Sequence, residues 1–198
     1  MTPTISIFPL NLVMFPEMIL PLRVFETRYL DMVSACLRHN TGFGINLIHA
    51  GNEVGSPADV FAVGTYSRII DWDREDNGLL AIKVCGEQRF RIIESAAQPD
   101  NLIRARIEWI DNDAGTAVPR GYGILQEMLA GLHRQYRSGE DLQARDDAAW
   151  LGYRLAELLP LPLRRKQDLL EMQDANTRLE VLQSWTRTAT ADQPVARE

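Results

Sequence analysis

The spacing of hydrophobic and polar positions changes its period several times along the chain. Across residues 5–22 the apolar residues come in short runs broken by Pro9, Pro16 and Pro21. Proline has no N–H to give to a ladder, so this stretch predicts short edge strands or connectors and not a helix. Over residues 24–38 the spacing turns helical, with Phe25, Tyr29, Met32, Val33, Cys36 and Leu37 on one face. That helix should stop near His39-Asn40-Thr41-Gly42, where Asn40 or Gly42 can turn left-handed. A strand follows at 43–49, then a polar loop at 50–57, then long strands at 60–72 and 79–93. The link between the last two ends in Asn77-Gly78, a hairpin signal because both residues tolerate positive φ. Gly64 and Gly86 interrupt the long runs where a bulge or a close backbone approach would let a strand coil. Residues 102–110 alternate cleanly. Ile103, Ala105, Ile107 and Trp109 face one way while Arg104, Arg106 and Glu108 face the other, which predicts a half-buried antiparallel strand.

Composition shifts across the short polar stretch 111–119. Beyond it Leu125, Met128, Leu129, Leu132 and Tyr136 repeat at helical spacing, as do Leu151, Leu155 and Leu158. Pro160 and Pro162 close that second stripe, and Pro162 suits the first turn of another helix at 164–172. Asp174 is an N-cap for a further helix in which Leu179, Leu182 and Trp185 share a face. From Thr188 the residues are small and polar. The predicted class is α+β: a β-rich subdomain over 1–112 with one inserted helix, a helical subdomain over 113–188, and a flexible tail at 189–198.

The chain has 198 residues and a formal net charge of −6, spread evenly between residues 1–110 and 111–198. No basic half exists to neutralise phosphates, which counts against nucleic acid as a partner. Lys83 and Lys166 are the only lysines, so lysine chemistry is confined to two positions. Cys36 and Cys85 make no disulfide framework and read as small buried apolar residues. No apolar run reaches the length of a membrane span and no secretory leader is visible, so a soluble, cytoplasmic protein is expected.

The segment Pro9-Leu10 … Phe15-Pro16-x-Met18-x-x-Pro21-Leu22-x-x-Phe25-Glu26-x-Arg28-Tyr29 resembles the Lon N-terminal domain, the substrate-recruiting part of the ATP-dependent Lon protease. Two more stretches agree with it in order and spacing. One is Val63-Gly64-Thr65 with Val84-x-Gly86-x-x-Arg89-Phe90-Arg91-Ile92. The other is Leu158-x-Pro160, Lys166-Gln167-x-Leu169-Leu170-Glu171 and Arg178-Leu179. The resemblance runs over residues 5–185 and matches a free-standing bacterial version. It implies a PUA-like β pseudo-barrel followed by an α-helical bundle, binding of unfolded or partner polypeptide, and a link to protein quality control. It implies no cofactor.

Chemistry-bearing groupings are sparse. No G-x-x-x-x-G-K-[ST] loop occurs to hold ATP phosphates, and neither lysine has the setting of a serine–lysine peptidase dyad. His39, His49 and His133 lack metal-ligand spacing, and Asp71–Asp76 lacks the order of a calcium loop, so no metal is expected. No serine lies in a nucleophile elbow, and Ser34 and Ser67 have no visible base. The expectation is therefore no catalytic residues and no enzyme activity.

Within the family motif, Pro9, Leu10, Pro16, Pro21, Leu22, Phe25, Glu26, Tyr29, Gly64, Gly86, Arg89, Phe90, Arg178 and Leu179 read as scaffold. Glu26 favours a helix N-terminus through the dipole, and Arg28 pairs across the fold. Candidate peptide contacts are Met14, Phe15, Met18, Thr27 and Arg28, since flexible methionines and aromatics suit varied apolar guests with little charge selection. For Phe15 and Met18, core packing is an equal alternative. Two other functions stay open. Arg89/Arg91 and Arg104/Arg106 on one sheet face suggest RNA or nucleotide binding, against cross-strand Arg–Glu pairing. A crevice between the lobes suggests a small molecule. The sequence says nothing of oligomeric state.

Overall fold

In a computed structural model, residues 2–75, 79–113, 115–136 and 145–191 are described. The chain divides between Asn112 and Asp113 into a sheet-containing unit and a helical unit. Among the described residues its class is mixed, with a largely antiparallel sheet and five helices.

The first unit contains β1 (Thr4–Leu10), β2 (Ile19–Val24), α1 (Thr27–His39), β3 (Phe43–Ala50), β4 (Asp59–Val60), β5 (Val63–Arg74), β6 (Leu80–Ala97) and β7 (Ile103–Ile110). The strands pair in the order β1-β7-β6-β5-β3-β4, and β1 also pairs with β3, so β1, β7, β6, β5 and β3 make a closed circuit of pairings. The β1–β3 pair is parallel. Parallel neighbours need a crossover, and β2 with α1 supplies it. β6 is long enough, at 18 residues, to pair with β2 along its first part and β7 along its second while β5 runs beside both. Between Ser67↔Gly86 and Thr65↔Arg89, Glu87 and Gln88 lie opposite Tyr66 alone, a bulge that bends the strand. Ile5, Ile7, Phe90, Ile103, Ala105 and Ile107 form the core inside the circuit.

Several boundaries differ from the sequence expectation. β1 is no edge strand: Thr4–Ile7 pairs with β7 and Ile7–Leu10 with β3. Pro9 is tolerated because it lies past the last β7 partner, where one side of the strand has no ladder to fill. α1 begins at Thr27 and not at residue 24, since Val24 still pairs with Leu80 at the end of β2. It ends as expected on a left-handed Asn40 (φ 51°, ψ 46°), whose N–H donates to Cys36 O. Gly42 serves another purpose, because a Cβ there would lie 2.1 Å from Ser67 O. The stretch 60–72 is two strands, β4 and β5. Trp109 continues the alternation of β7 but leaves the core, stacking edge-on to Tyr66 with 43% of its surface exposed. The Asn77-Gly78 tip lies outside the described residues.

The helical unit holds α2 (Gly123–Tyr136), α3 (Ala148–Leu158), α4 (Leu163–Glu171) and α5 (Ala175–Ala191). α3 packs on the other three, and its face of Leu151, Tyr153, Leu155 and Ala156 is buried. Asp174 caps α5 as expected, accepting from Thr177 N at 2.6 Å. α5 runs on to Ala191, past the change of composition at Thr188, in keeping with the high helix propensity of the alanines there. Residues 192–198 of the expected tail lie outside the described residues.

Candidate functional site

The proline-punctuated segment after β1 is a plug and not a surface. Met14, Phe15, Pro16 and Met18 are all buried, Phe15 with no exposed area. Three backbone contacts fix the plug on the sheet. Thr65 Oγ1 donates to Met14 O at 2.6 Å, Glu17 N to Gly86 O at 2.7 Å, and Gly86 N to Met18 O at 2.9 Å. Glu17 turns the chain with φ 60°. Gly86 is required by this approach, because a Cβ would fall 2.3 Å from Phe15 O. The expectation that Met14, Phe15 and Met18 are exposed contacts is thereby corrected: apolar burial against β5 and β6 takes them out of solvent.

Where β2 hands over to α1, the opposite happens. Phe25, expected to be scaffold, is 55% exposed. The strand ends at Val24, whose side chain goes inward, and the next residue points out before the helix starts. Glu26 is the helix N-cap residue but makes no side-chain cap. Its carboxylate instead accepts from Arg28 Nη2 at 2.9 Å and from Gly55 N at 3.4 Å. Arg28 is 6% exposed, its Nη1 donates to Asn101 O at 2.9 Å, and its guanidinium lies 4.6 Å from the centre of the Tyr29 ring. Arg28 thus pairs across the fold as expected, tying α1 to the turn between β6 and β7. It is a buried brace at this point. Tyr29 stacks on Phe8 at 4.2 Å, and burial pushes its phenol above the ordinary value. Thr27 is exposed beside Phe25.

Two hollows run along this helix. One, of about 410 Å³, opens at its N-terminal end and is lined by Phe25, Glu26, Thr27, Arg28, Asp31, Gly55, Asp100 and Asn101. The other, of about 490 Å³, continues beside Met32, Ala35, Cys36 and His39 and is walled by Ser6, Leu102 and Arg104. They share Arg28, Asp31 and Asp100 in their linings, so they adjoin, and together they are the groove along α1. Burial raises the Cys36 thiol above its ordinary value, which makes it a poor nucleophile. A separate hollow of about 470 Å³ lies over Ala81 on β2, β6 and β5. Its charges are largely spent on each other, Arg23 with Glu75 at 2.7 Å and Lys83 with Asp71 at 3.1 Å.

The remaining motif residues differ in their surroundings. Pro9, Leu10, Phe90 and Leu179 are buried, Leu22 is half-buried, and Pro21 is exposed on β2. Gly64 leaves room for Asn46, whose side-chain amide would lie 2.5 Å from an added Cβ. Arg178 is buried in the helical unit. The four arginines do not line one exposed face. Arg89 is fully buried and donates to Asp111 O, because β6 bulges just before it. Arg106 pairs with Glu94 at 3.1 Å and Arg91 stands opposite Glu108, the cross-strand alternative. Ser67 is buried and donates weakly to Thr65 O. Among the described residues no three His, Cys, Asp or Glu side chains converge on a metal position, and no helix is long and apolar enough to cross a membrane. Asp76, in the run considered for calcium, lies outside the described residues.

Asp31, Gly55, Asp100 and Asn101 escaped the sequence reading. They come from a helix, a loop and a turn far apart in the chain, and only the closed sheet brings them together. Phe25 left a readable trace: an apolar residue just past a strand end that the helix, starting two residues later, does not cover.

The model of the ATP-dependent protease La (LON) substrate-binding domain matches residues 4–187. The Lon protease of Escherichia coli strain K12 is 28% identical over 201 residues, covering 90% of this chain and 24% of that protein. That of Haemophilus influenzae is 28% identical over 190 residues, with 90% and 23% covered. The chain spans about a quarter of the length of these relatives. Among solved structures, a Lon N-terminal domain protein from Xanthomonas campestris is 34% identical with a TM-score of 0.79, over 92% of this chain and 98% of that one. The N-terminal domain of a Mycobacterium avium complex Lon protease, 19% identical, shares the fold with a TM-score of 0.65 over 93% of this chain and 98% of that one.

Proposed function

The chain belongs to the family of Lon substrate-binding domains, and from that premise we propose that it is a non-catalytic module that holds unfolded or partner polypeptide in the groove along α1. One observation carries the reading: Phe25, a large apolar side chain more than half exposed, stands at the mouth of a groove on a braced helix. An exposed aromatic on a rigid support offers contact area at little entropic cost, because the Arg28–Glu26–Asn101 contacts already fix the helix start. In this reading the closed strand circuit is a PUA-like pseudo-barrel, the second unit is a helical bundle, and the module serves protein quality control in the cytoplasm.

A permanently unfolded, carboxymethylated polypeptide and its native form, titrated against the chain, test the reading. The unfolded form binds and the native form does not. Phe25→Ser weakens binding about tenfold, the loss expected from one partly buried anchor, while changing stability by less than about 0.5 kcal/mol. Equal binding of wild type and Phe25→Ser would remove the groove from the account.

A further inference from the structure

We infer that the groove along α1 selects its guests by charge, taking apolar segments that carry lysine or arginine beside the apolar side chain and turning away those that carry aspartate or glutamate there. The inference rests on the polypeptide-holding reading above and names the substrate class of that same groove. The waist shared by the two hollows holds three charged side chains, Arg28, Asp31 and Asp100. Arg28 is buried and its charge is met by Glu26 at 2.9 Å, so no positive side chain faces a guest at this point. Asp31 and Asp100 are exposed. Asp100 spends one oxygen on Leu102 N at 2.9 Å, and neither carboxylate has a cationic side-chain partner among the described residues. The helix N-terminus offsets only about half a unit of positive charge against these two. The waist beside Phe25 is therefore net negative.

The negative charge is local. At the far end of the groove Arg104 donates to Ser6 Oγ at 3.0 Å and adds positive charge beside His39. α1, with 13 residues, is about 20 Å long. A guest of about six extended residues spans that length. Seated with an apolar side chain on Phe25, it places a neighbouring residue at Asp31 and Asp100. A cation there gains two attractions, and an anion meets two repulsions. Exposed pairs of this kind are each worth a factor of a few, so lysine and glutamate at that position should differ about tenfold.

Fluorescence anisotropy with three labelled peptides tests the inference. The peptides share one aromatic residue and differ only at the residue beside it, which is lysine, glutamine or glutamate. Wild type binds them in the order lysine, glutamine, glutamate at low salt, and high salt compresses the spread. Asp31→Lys, an exposed change on a helix that lysine favours, offsets Asp100 and flattens the spread, and adding Asp100→Asn inverts the order. Equal affinity for all three peptides, or an unchanged order in Asp31→Lys combined with Asp100→Asn, overturns charge selection. The glutamine peptide separates this claim from the one beneath it. Its binding, weakened by Phe25→Ser, stands whether or not charge selects, whereas failure of every peptide to bind overturns both.

Discussion

Arg178 has no exposed surface, and its guanidinium serves backbone carbonyls inside the helical unit. Nε donates to Leu169 O at 3.0 Å and Nη2 to Met172 O at 2.5 Å, and the guanidinium lies 4.2 Å from the centre of the Tyr153 ring. Those carbonyls belong to the end of α4, where backbone acceptors have no partner in their own helix. A side chain of α5 therefore caps α4, and Gly152 on α3 leaves it room, since a Cβ would lie 3.0 Å from Arg178 Cδ. Four residues earlier, at the N-cap of the same helix, Asp174 shows a titratable version of capping. The side chain and N–H of Thr177 hold its carboxyl below the ordinary value of 3.8. The folded state thus binds fewer protons than the unfolded one, so the cap stabilises above the unfolded value and is lost as pH falls through the folded value. Asp174→Ala should lower the thermal midpoint at neutral pH, and the gap from wild type should close on acidification below pH 3.8. A gap that persists unchanged into acid contradicts the assignment.

At the scale of elements, the plug at residues 13–18 explains how strands β5 and β6 are covered where the helix does not reach. The backbone carbonyl of Phe15 takes the space that Gly86 leaves open, while the Phe15 and Met14 side chains are buried. Phe15→Ala should cost about 3–5 kcal/mol in urea unfolding, the range for deleting a buried phenyl ring. A loss below about 1 kcal/mol would return Phe15 to the surface. The types of these elements were legible because periodicity reports which face of a segment is apolar. It does not report what that face meets. The alternation of Ile103, Ala105 and Ile107 named β7 and its core face correctly, while the apolar run of 13–18 looked equally suited to core or contact. Prolines signal missing donors without saying which side of the strand is short of a neighbour, so they point to an edge although β1 has neighbours on both sides. Family-motif position and helical spacing both argue for burial of Phe25, but α1 starts three residues after residue 24 and leaves it exposed.

Over the whole molecule, the family and the sheet-then-helices order were legible, but the groove was not. Its wall at Asp100 and Asn101 comes from a turn 73 residues after the Arg28 it braces, a juxtaposition set by the closure of β1 on β3. The most direct test is hydrogen–deuterium exchange of the full chain with and without a permanently unfolded polypeptide at saturating concentration. The account predicts added protection in segments 25–31 and 98–102 with little change over 71–75 and 81–83. Protection confined to the hollow over Ala81, or binding with no added protection along α1, would contradict it.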